Sequence, residues 1–122
     1  MTQPDTVQLA AFGENLAAAF YEDRGATIAD RNVRYRSGEI DLICVEPDDT
    51  TVFVEVKTRS GEDFGVAESI TRTKFARMRR AAALWLDQRA WTEVRFDALC
   101  LTLQPDGAFN IDHYEGIDDG AC

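Results

Sequence analysis

The sequence is poor in cysteine and histidine, the residues that most often carry redox and imidazole chemistry. Its 122 residues include one histidine, His113, and three cysteines, Cys44, Cys100 and Cys122, without a Cys-x-x-Cys pair. The odd number and wide spacing of the cysteines argue against a disulfide framework and against a thiolate zinc site. The single histidine disfavours a histidine-based mechanism, so we expect a structural or surface role for His113.

Long apolar runs and a basic amino-terminal segment are also missing. No run approaches the roughly 20 apolar residues that span a membrane, and residues 1–5 carry no basic side chain, so no secretory signal is evident. We therefore expect a cytoplasmic protein with one domain over residues 1–122, a core over about residues 8–114 and an acidic tail over residues 115–122. A chain of this length can bury a sizeable core.

An excess of basic residues is absent as well, since the net charge is -9. This sum disfavours a nucleic-acid partner, because affinity for phosphates comes largely from Lys and Arg. The distribution is uneven, however. Residues 24–80 hold eleven of the thirteen basic side chains together with ten acidic ones, whereas the flanking segments are acidic. A basic surface beside an acidic site is therefore possible in the middle of the chain.

The periodicity of apolar residues predicts an α/β domain with the order α-β-β-β-α-β-β. Leu9, Phe12, Leu16 and Phe20 recur at helical spacing in the first helix, and Arg72, Lys74, Arg77, Arg79 and Arg80 give the second helix a basic, solvent-facing side. A loop is predicted from Ser60 to Glu68. The predicted helices are 8–24 and from Ser69 or Thr71 to about 88; the predicted strands are 26–36, 39–45, 52–59, 92–103 and 108–114.

Two of these strands carry charge in an apolar setting. Asp41 lies within Gly38-Glu39-Ile40-Asp41-Leu42-Ile43, and Glu55 and Lys57 lie within Val52-Phe53-Val54-Glu55-Val56-Lys57. Alternate residues of a strand share a face, so Glu55 and Lys57 point the same way. A hairpin folded about Asp48-Asp49 would bring Asp41 opposite this stretch, where cross-strand neighbours lie about 5 Å apart. Two carboxylates and one amine are therefore expected to converge.

This set is typical of a magnesium site. Mg²⁺ prefers a few oxygen ligands and retains waters, so Asp41, Glu55 and a backbone carbonyl such as that of Val56 would suit it, and Mn²⁺ would fit as well. Such an ion could activate a water for phosphodiester hydrolysis while Lys57 stabilises developing charge. Glu14 shares its helix face with Ala10, Ala17, Ala18 and Tyr21, whose small members would let the helix approach a sheet closely.

The same residues resemble the PD-(D/E)-x-K signature of the restriction-endonuclease-like superfamily, with Asp41 as first acid and Glu55-Val56-Lys57 as half-motif. A wider set resembles the small bacterial YraN-like family of uncharacterised endonuclease-like proteins, which is similar to archaeal Holliday junction resolvases. The resemblance implies a three-layer fold with a mixed central sheet and an αβββαβ core, and it implies that Glu14 joins the metal site. The matching segments are Gly13-Glu14, Asn32-Val33-Arg34, Gly38 to Ile43, Phe53 to Arg59, Lys74 and Arg95-Phe96-Asp97.

Six further residues are candidates for contact with nucleic acid. Five are basic and the sixth follows the half-motif lysine: they are Arg34, Arg36, Thr58, Arg59, Lys74 and Arg77. Each charged one could equally belong to a solvated face, and threonine is a good strand residue in any case. Arg95 and Asp97 flank Phe96 on one strand face and are expected to form a supporting ion pair.

Three functions remain open from the sequence. The first is a Mg²⁺-dependent nuclease acting on DNA, including branched or structured DNA, with a homodimer as one possible assembly. The second is a nuclease-fold module that binds nucleic acid or a protein without cutting, and the third is an assembly protein whose acidic termini meet a basic partner. For Asp41, Glu55 and Lys57 the alternative is a cross-strand ion pair on a solvated face; for Glu14 it is a surface glutamate.

Overall fold

The computed structural model describes residues 6–60 and 71–117, which form two helices and five strands. The order and type of all seven predicted elements are confirmed, with their ends shifted by a residue or two. The predicted loop from Ser60 to Glu68 lies outside the described residues except for Ser60, which ends a strand. The elements are α1 (Thr6–Asp23), β1 (Thr27–Tyr35), β2 (Gly38–Val45), β3 (Thr51–Ser60), α2 (Arg72–Leu86), β4 (Val94–Leu103) and β5 (Phe109–Tyr114).

The five strands form one mixed sheet in the order β1-β2-β3-β4-β5. Three neighbouring pairs are antiparallel, and β3 and β4 are parallel. The parallel pair needs a crossover, and the chain makes it through α2. The predicted turn between β2 and β3 is also confirmed: Glu46 N–H donates to Thr50 O at 2.9 Å, and Asp49 has a φ of 73°.

The helices cover opposite faces of this sheet. Ala17, Ala18 and Tyr21 of α1 pack with Val52 and Val54. On the other face, Ala81, Ala82 and Trp85 of α2 pack with Ile43 and Phe53. Successive residues of β3 thus enter different cores, as the strand period of two requires. The result is the three-layer αβββαβ arrangement with a mixed central sheet that was predicted, extended by the edge strand β5.

Small residues form most of the buried face of α1, and the predicted close approach of this helix to the sheet is confirmed. Phe12 is 55% exposed, and Leu9, Leu16 and Phe20 are half-buried, whereas Gly13, Ala17 and Ala18 are buried. A Cβ at Gly13 would clash with the side chain of Thr58 in β3. The helix therefore lies so close to the sheet that large side chains are displaced to its margins.

Helix α2 begins at the expected cap and carries the expected two faces. The Thr71 hydroxyl accepts a hydrogen bond from Lys74 N–H at 3.1 Å, which satisfies one of the free donors of the first turn. Phe75, Met78 and Trp85 are buried, and the five basic residues of the first half are exposed. Neither described helix is long and apolar enough to cross a membrane.

Candidate active site

The site forms where β2 and β3 part. Their last paired residues are Leu42 and Val54. One step further, the carboxylate of Asp41 takes over the acceptor role of a strand carbonyl, since its Oδ2 accepts a hydrogen bond from Val56 N–H at 2.8 Å. The side chain of Asp41 is thereby fixed against β3, beside the residue that follows Glu55. The predicted register of the hairpin is confirmed.

Glu55 meets Asp41 in a partly dehydrated setting. Burial, together with the nearby charge and hydrogen bond of Asp41, raises the pKa of Glu55 to about 8, although the ammonium groups of Lys57 and Lys74 oppose the shift. Two carboxyl groups that approach each other in this way favour sharing a proton over carrying two charges. The structure therefore brings Asp41, Glu55 and Lys57 together.

Strand geometry and α2 determine which side chains surround this pair. Phe53 packs in the α2 cluster, so Glu55 and Lys57, at alternate positions of the same strand, lie on the α2 face of the sheet. The first turn of α2 brings Lys74 close enough to act on the charge of Glu55. Sequence reasoning assigned Lys74 to a nucleic-acid surface and missed this proximity, which depends on a contact across the crossover.

Glu14 is placed differently. It is half-buried on α1, next to the glycine that lies against Thr58. Over residues 6–60 and 71–117, no group of three His, Cys, Asp or Glu side chains is close enough to hold a metal ion. The structure thus pairs Asp41 with Glu55 but does not add Glu14 as a third carboxylate. Its role as a metal ligand, like that of the Val56 carbonyl, stays a prediction.

Basic residues from two elements adjoin the site. A Cβ at Gly38 would clash with the carbonyl oxygen of Arg77, so the start of β2 lies directly against the main chain of α2. The hairpin that joins β1 to β2 and carries Arg34 and Arg36 therefore adjoins α2, the helix that carries Lys74 and Arg77. All four of these basic side chains are exposed.

Thr58 and Arg59 are less exposed to solvent, and so less accessible to nucleic acid, than those four residues. Both are half-buried. Thr58 lies beneath Gly13 on the α1 face, away from the face of Glu55 and Lys57, and the Arg59 Nε donates to the Thr102 hydroxyl at 3.5 Å. Their contact with nucleic acid stays a prediction.

A second polar cluster lies on the α1 face of the sheet and centres on Asp97, which is fully buried. Arg95 donates two hydrogen bonds to it, at 2.9 and 3.1 Å, so the predicted ion pair is confirmed. Tyr21 Oη donates at 2.7 Å, Gly116 N–H donates at 3.0 Å, and His113 Nε2 lies 3.0 Å away. His113 thus has the structural role that was expected.

Cys44 and Cys100 are buried, as expected of small core residues. Burial, with the charges of Glu46 and Asp97, raises the pKa of the Cys44 thiol to about 12. A thiol with so high a pKa is a poor nucleophile at neutral pH. Cys44 therefore packs as a core residue.

Comparison with known proteins identifies relatives over nearly the whole chain. The model of the Uncharacterised protein family UPF0102 matches residues 13–101. A UPF0102 protein of Corynebacterium efficiens is 55% identical over 115 residues, covering 93% of this chain and 94% of the relative. A UPF0102 protein of Nocardia farcinica is 46% identical over 116 residues, with 93% and 91% covered. The expected membership of a family of small uncharacterised bacterial proteins is confirmed.

Among solved structures, the chain is similar to a repair endonuclease from Pyrococcus abyssi. The identity is 15%, the TM-score is 0.43, and the match covers 88% of this chain and 42% of the other. The likeness is too distant to add to the geometry described above.

Proposed function

Because the chain belongs to the Uncharacterised protein family UPF0102, whose description names no reaction, we propose a function from the site itself: a metal-dependent nuclease that hydrolyses phosphodiester bonds of DNA. The observation that carries this proposal is the close pair of Asp41 and Glu55 beside Lys57, at the point where β2 and β3 part. A cross-strand ion pair on a solvated face would not raise the pKa of the carboxyl group.

The donor set of this pair fits a divalent cation. Two carboxyl groups that repel each other when both are charged gain from a cation between them. The raised pKa of Glu55 reflects its burial first and the charge of Asp41 second, and a cation would offset both. Asp41, Glu55 and the carbonyl of Val56 would hold Mg²⁺ or Mn²⁺, which accept few protein ligands and keep waters. When bound, the cation would supply Lewis-acid activation of a phosphate oxygen and of a water.

Other residues of the chain would order the Asp41 carboxylate and place positive charge near the phosphate. Val56 N–H fixes one oxygen of Asp41, so the carboxylate does not have to be ordered when substrate binds. Lys57 places a positive charge on the face of Glu55, where it would stabilise charge on the phosphate in the transition state or orient the attacking water. Lys74 adds a second ammonium group at the same place, suited to a neighbouring phosphate.

The exposed basic residues next to the site would bind the DNA backbone. Arg34 and Arg36 on the hairpin and Arg77 on α2 are solvent-accessible, and backbone contacts of this kind contribute affinity without reading sequence. The acidic remainder of the chain would repel DNA, so the charge distribution favours an approach at the place where the β1 to β2 hairpin adjoins α2.

The experiment is a cleavage assay on linear duplex, single-stranded and four-way-junction DNA in Mg²⁺ or Mn²⁺. The wild-type protein is compared with Lys57→Ala and with Asp112→Asn, each purified in parallel. Asp112 is an exposed carboxylate on the edge strand β5, away from β2 and β3, so its substitution is a control for charge removal outside the site.

We expect cleavage by the wild type and by Asp112→Asn, and a loss of at least about 100-fold in Lys57→Ala. Equal cleavage by all three proteins would point to a contaminating nuclease. Binding of DNA without cleavage, unchanged in Lys57→Ala, would overturn the proposal in favour of a non-cutting module. No binding of nucleic acid by any protein would exclude both functions.

A further inference from the structure

Asn32 of β1 has an unusual backbone conformation at the position opposite the candidate site. Its φ is 50°, in the left-handed region that non-glycine residues seldom adopt. The register of β1 with β2 pairs Arg31 with Leu42 and Val33 with Ile40. Asn32 therefore lies directly opposite Asp41, the first acid of the candidate site.

The alternation of β2 breaks at Asp41. Ile40 packs in the α2 cluster, whereas Leu42 packs in the α1 cluster. These residues are two positions apart, and in a regular strand they would share a face. The strand therefore turns over between them, at Asp41.

The alternation of β1 breaks at Asn32 in the same way. Arg31 Nη1 donates to the Asn15 side chain of α1 at 3.0 Å, whereas Val33 packs in the α2 cluster. Each cross-strand pair stays matched, because Arg31 and Leu42 share one face and Val33 and Ile40 share the other. The two strands thus turn over together, at two residues that face each other across the ladder.

The left-handed residue coincides with this reversal. A single residue with positive φ reverses the direction in which the following side chain points, and no other residue of β1 or β2 has a positive φ. We propose that Asn32 is the positioning residue of the candidate site: its left-handed conformation produces the paired break of alternation that turns the Asp41 carboxylate toward Val56 and Glu55. The inference rests on the proposed function only for the consequence that this carboxylate is catalytic.

The residue type agrees with this role. Asparagine tolerates the left-handed region better than most residues, and β-branched residues tolerate it worst. The Asn32 side chain is exposed, so it is not required to fill a core. The position requires a backbone with positive φ. Glycine adopts this conformation readily, whereas valine disfavours it.

Two substitutions separate conformation from side-chain chemistry. Asn32→Gly removes the amide but permits positive φ, and Asn32→Val keeps a side chain but opposes it. The first readout is hydrogen exchange of the Val56 amide, which donates to Asp41, relative to the Phe53 amide in the paired part of β3. The second is affinity for Mn²⁺ in the full chain, measured by calorimetry without DNA.

A control residue has the same conformation elsewhere. Gln88 has a φ of 69° and follows α2 at the end opposite Lys74. Gln88→Val should therefore lower stability through the same kind of backbone strain, about 1–2 kcal/mol, without changing Val56 exchange or Mn²⁺ affinity. Should Asn32→Val fold poorly, Asn32→Ala gives the same comparison with less strain.

We expect Asn32→Val to speed Val56 exchange and to weaken Mn²⁺ binding, each by about tenfold or more, as the loss of a fixed carboxylate implies. Asn32→Gly should keep the Val56 exchange rate and the Mn²⁺ affinity within about threefold of the wild-type values. Unchanged Val56 exchange in Asn32→Val, or an Asn32→Gly protein that behaves like Asn32→Val, would overturn the inference. If the variants show these effects but the wild type cuts no DNA, the positioning role of Asn32 is supported and the proposed function is wrong.

Discussion

Two clusters that contain buried carboxyl groups lie on opposite faces of the sheet, and their central acids have pKa values shifted in opposite directions. Asp97, on the α1 face, is surrounded by donors from Arg95, Tyr21 and the Gly116 amide. Although burial opposes it, these hydrogen bonds and that of His113 hold the pKa of Asp97 below its usual range. Glu55, on the α2 face, meets a second carboxyl group, and its pKa rises to about 8.

The comparison shows that burial acts to raise the pKa of both acids and that their partners decide the outcome: donors outweigh burial at Asp97, whereas a second carboxyl group adds to it at Glu55. The Asp97 cluster is a satisfied network that stabilises the fold. The Asp41 and Glu55 pair stores repulsion that a cation or a proton must relieve. Strained acids of this kind are more often functional than structural. The predictions below test the two clusters against each other, from the largest expected effect to the smallest.

Asp97→Asn should have the largest effect on stability. The substitution removes the fully buried negative charge to which Arg95, Tyr21 and the Gly116 amide donate and turns an amide donor toward these donors, which costs about 3–5 kcal/mol. Urea denaturation measures the loss, and Asp112→Asn, an exposed acid on β5, should stay within about 0.5 kcal/mol. A loss below about 1 kcal/mol in Asp97→Asn would show that the network is not a major source of stability.

Glu55→Gln should stabilise the metal-free protein at high pH while abolishing activity. The folded-state pKa lies above the ordinary value of 4.5, so the contribution of Glu55 to stability is full below pH 4.5 and is lost as the pH rises through about 8. Above that pH the variant should be more stable by roughly 3 kcal/mol. Unfolding curves from pH 4 to 9 in a chelating buffer measure this, and parallel curves for both proteins would contradict it.

Addition of Mg²⁺ should raise the stability of the wild type but not that of Glu55→Gln. At a concentration ten times the dissociation constant, a ligand of the folded state adds about 1.4 kcal/mol. The Asp97→Asn protein, if it folds, should keep the same increment, because its altered cluster lies on the other face. An equal Mg²⁺ increment in Glu55→Gln would place the ion elsewhere in the molecule.

Arg95→Lys should have the smallest effect. Lysine keeps the positive charge but cannot make two parallel hydrogen bonds to Asp97 while also reaching Glu115, which Arg95 contacts at 3.0 Å. We expect a loss of about 1 kcal/mol in denaturant unfolding. A loss as large as that of Asp97→Asn would mean that guanidinium geometry, and not charge, stabilises the cluster.

The sequence was sufficient to predict the element order, the β2 to β3 hairpin and the convergence of Asp41, Glu55 and Lys57. These features depend on local periodicity and on one short turn, which fix register over a few residues. Long-range features were less accessible. The contact of Tyr21 with Asp97 joins residues 76 positions apart, and no local pattern marks it.

Two other features, in β2 and in α1, could not be predicted from regular strand and helix periods. Strict alternation places Ile40 and Leu42 on one face, and only the structure shows the reversal at Asp41 opposite Asn32. Helical periodicity groups Phe12 with Leu9, Leu16 and Phe20 and does not reveal that Phe12 is 55% exposed, because the glycine and alanines beside it allow an approach too close for large side chains. Both features come from tertiary contacts that override a local period.

Gly38 has a consequence for how the basic surface would meet a polyanion. Because the main chain of the β1 to β2 hairpin lies against the main chain of α2 at Arg77, the anchor points of Arg34, Arg36 and Arg77 keep a fixed separation. Binding would then order side chains alone, at about 0.5–1.5 kcal/mol each, with no additional cost for arranging the backbone. The missing Cβ of one glycine thus turns two separate elements into a single preorganised array of cations.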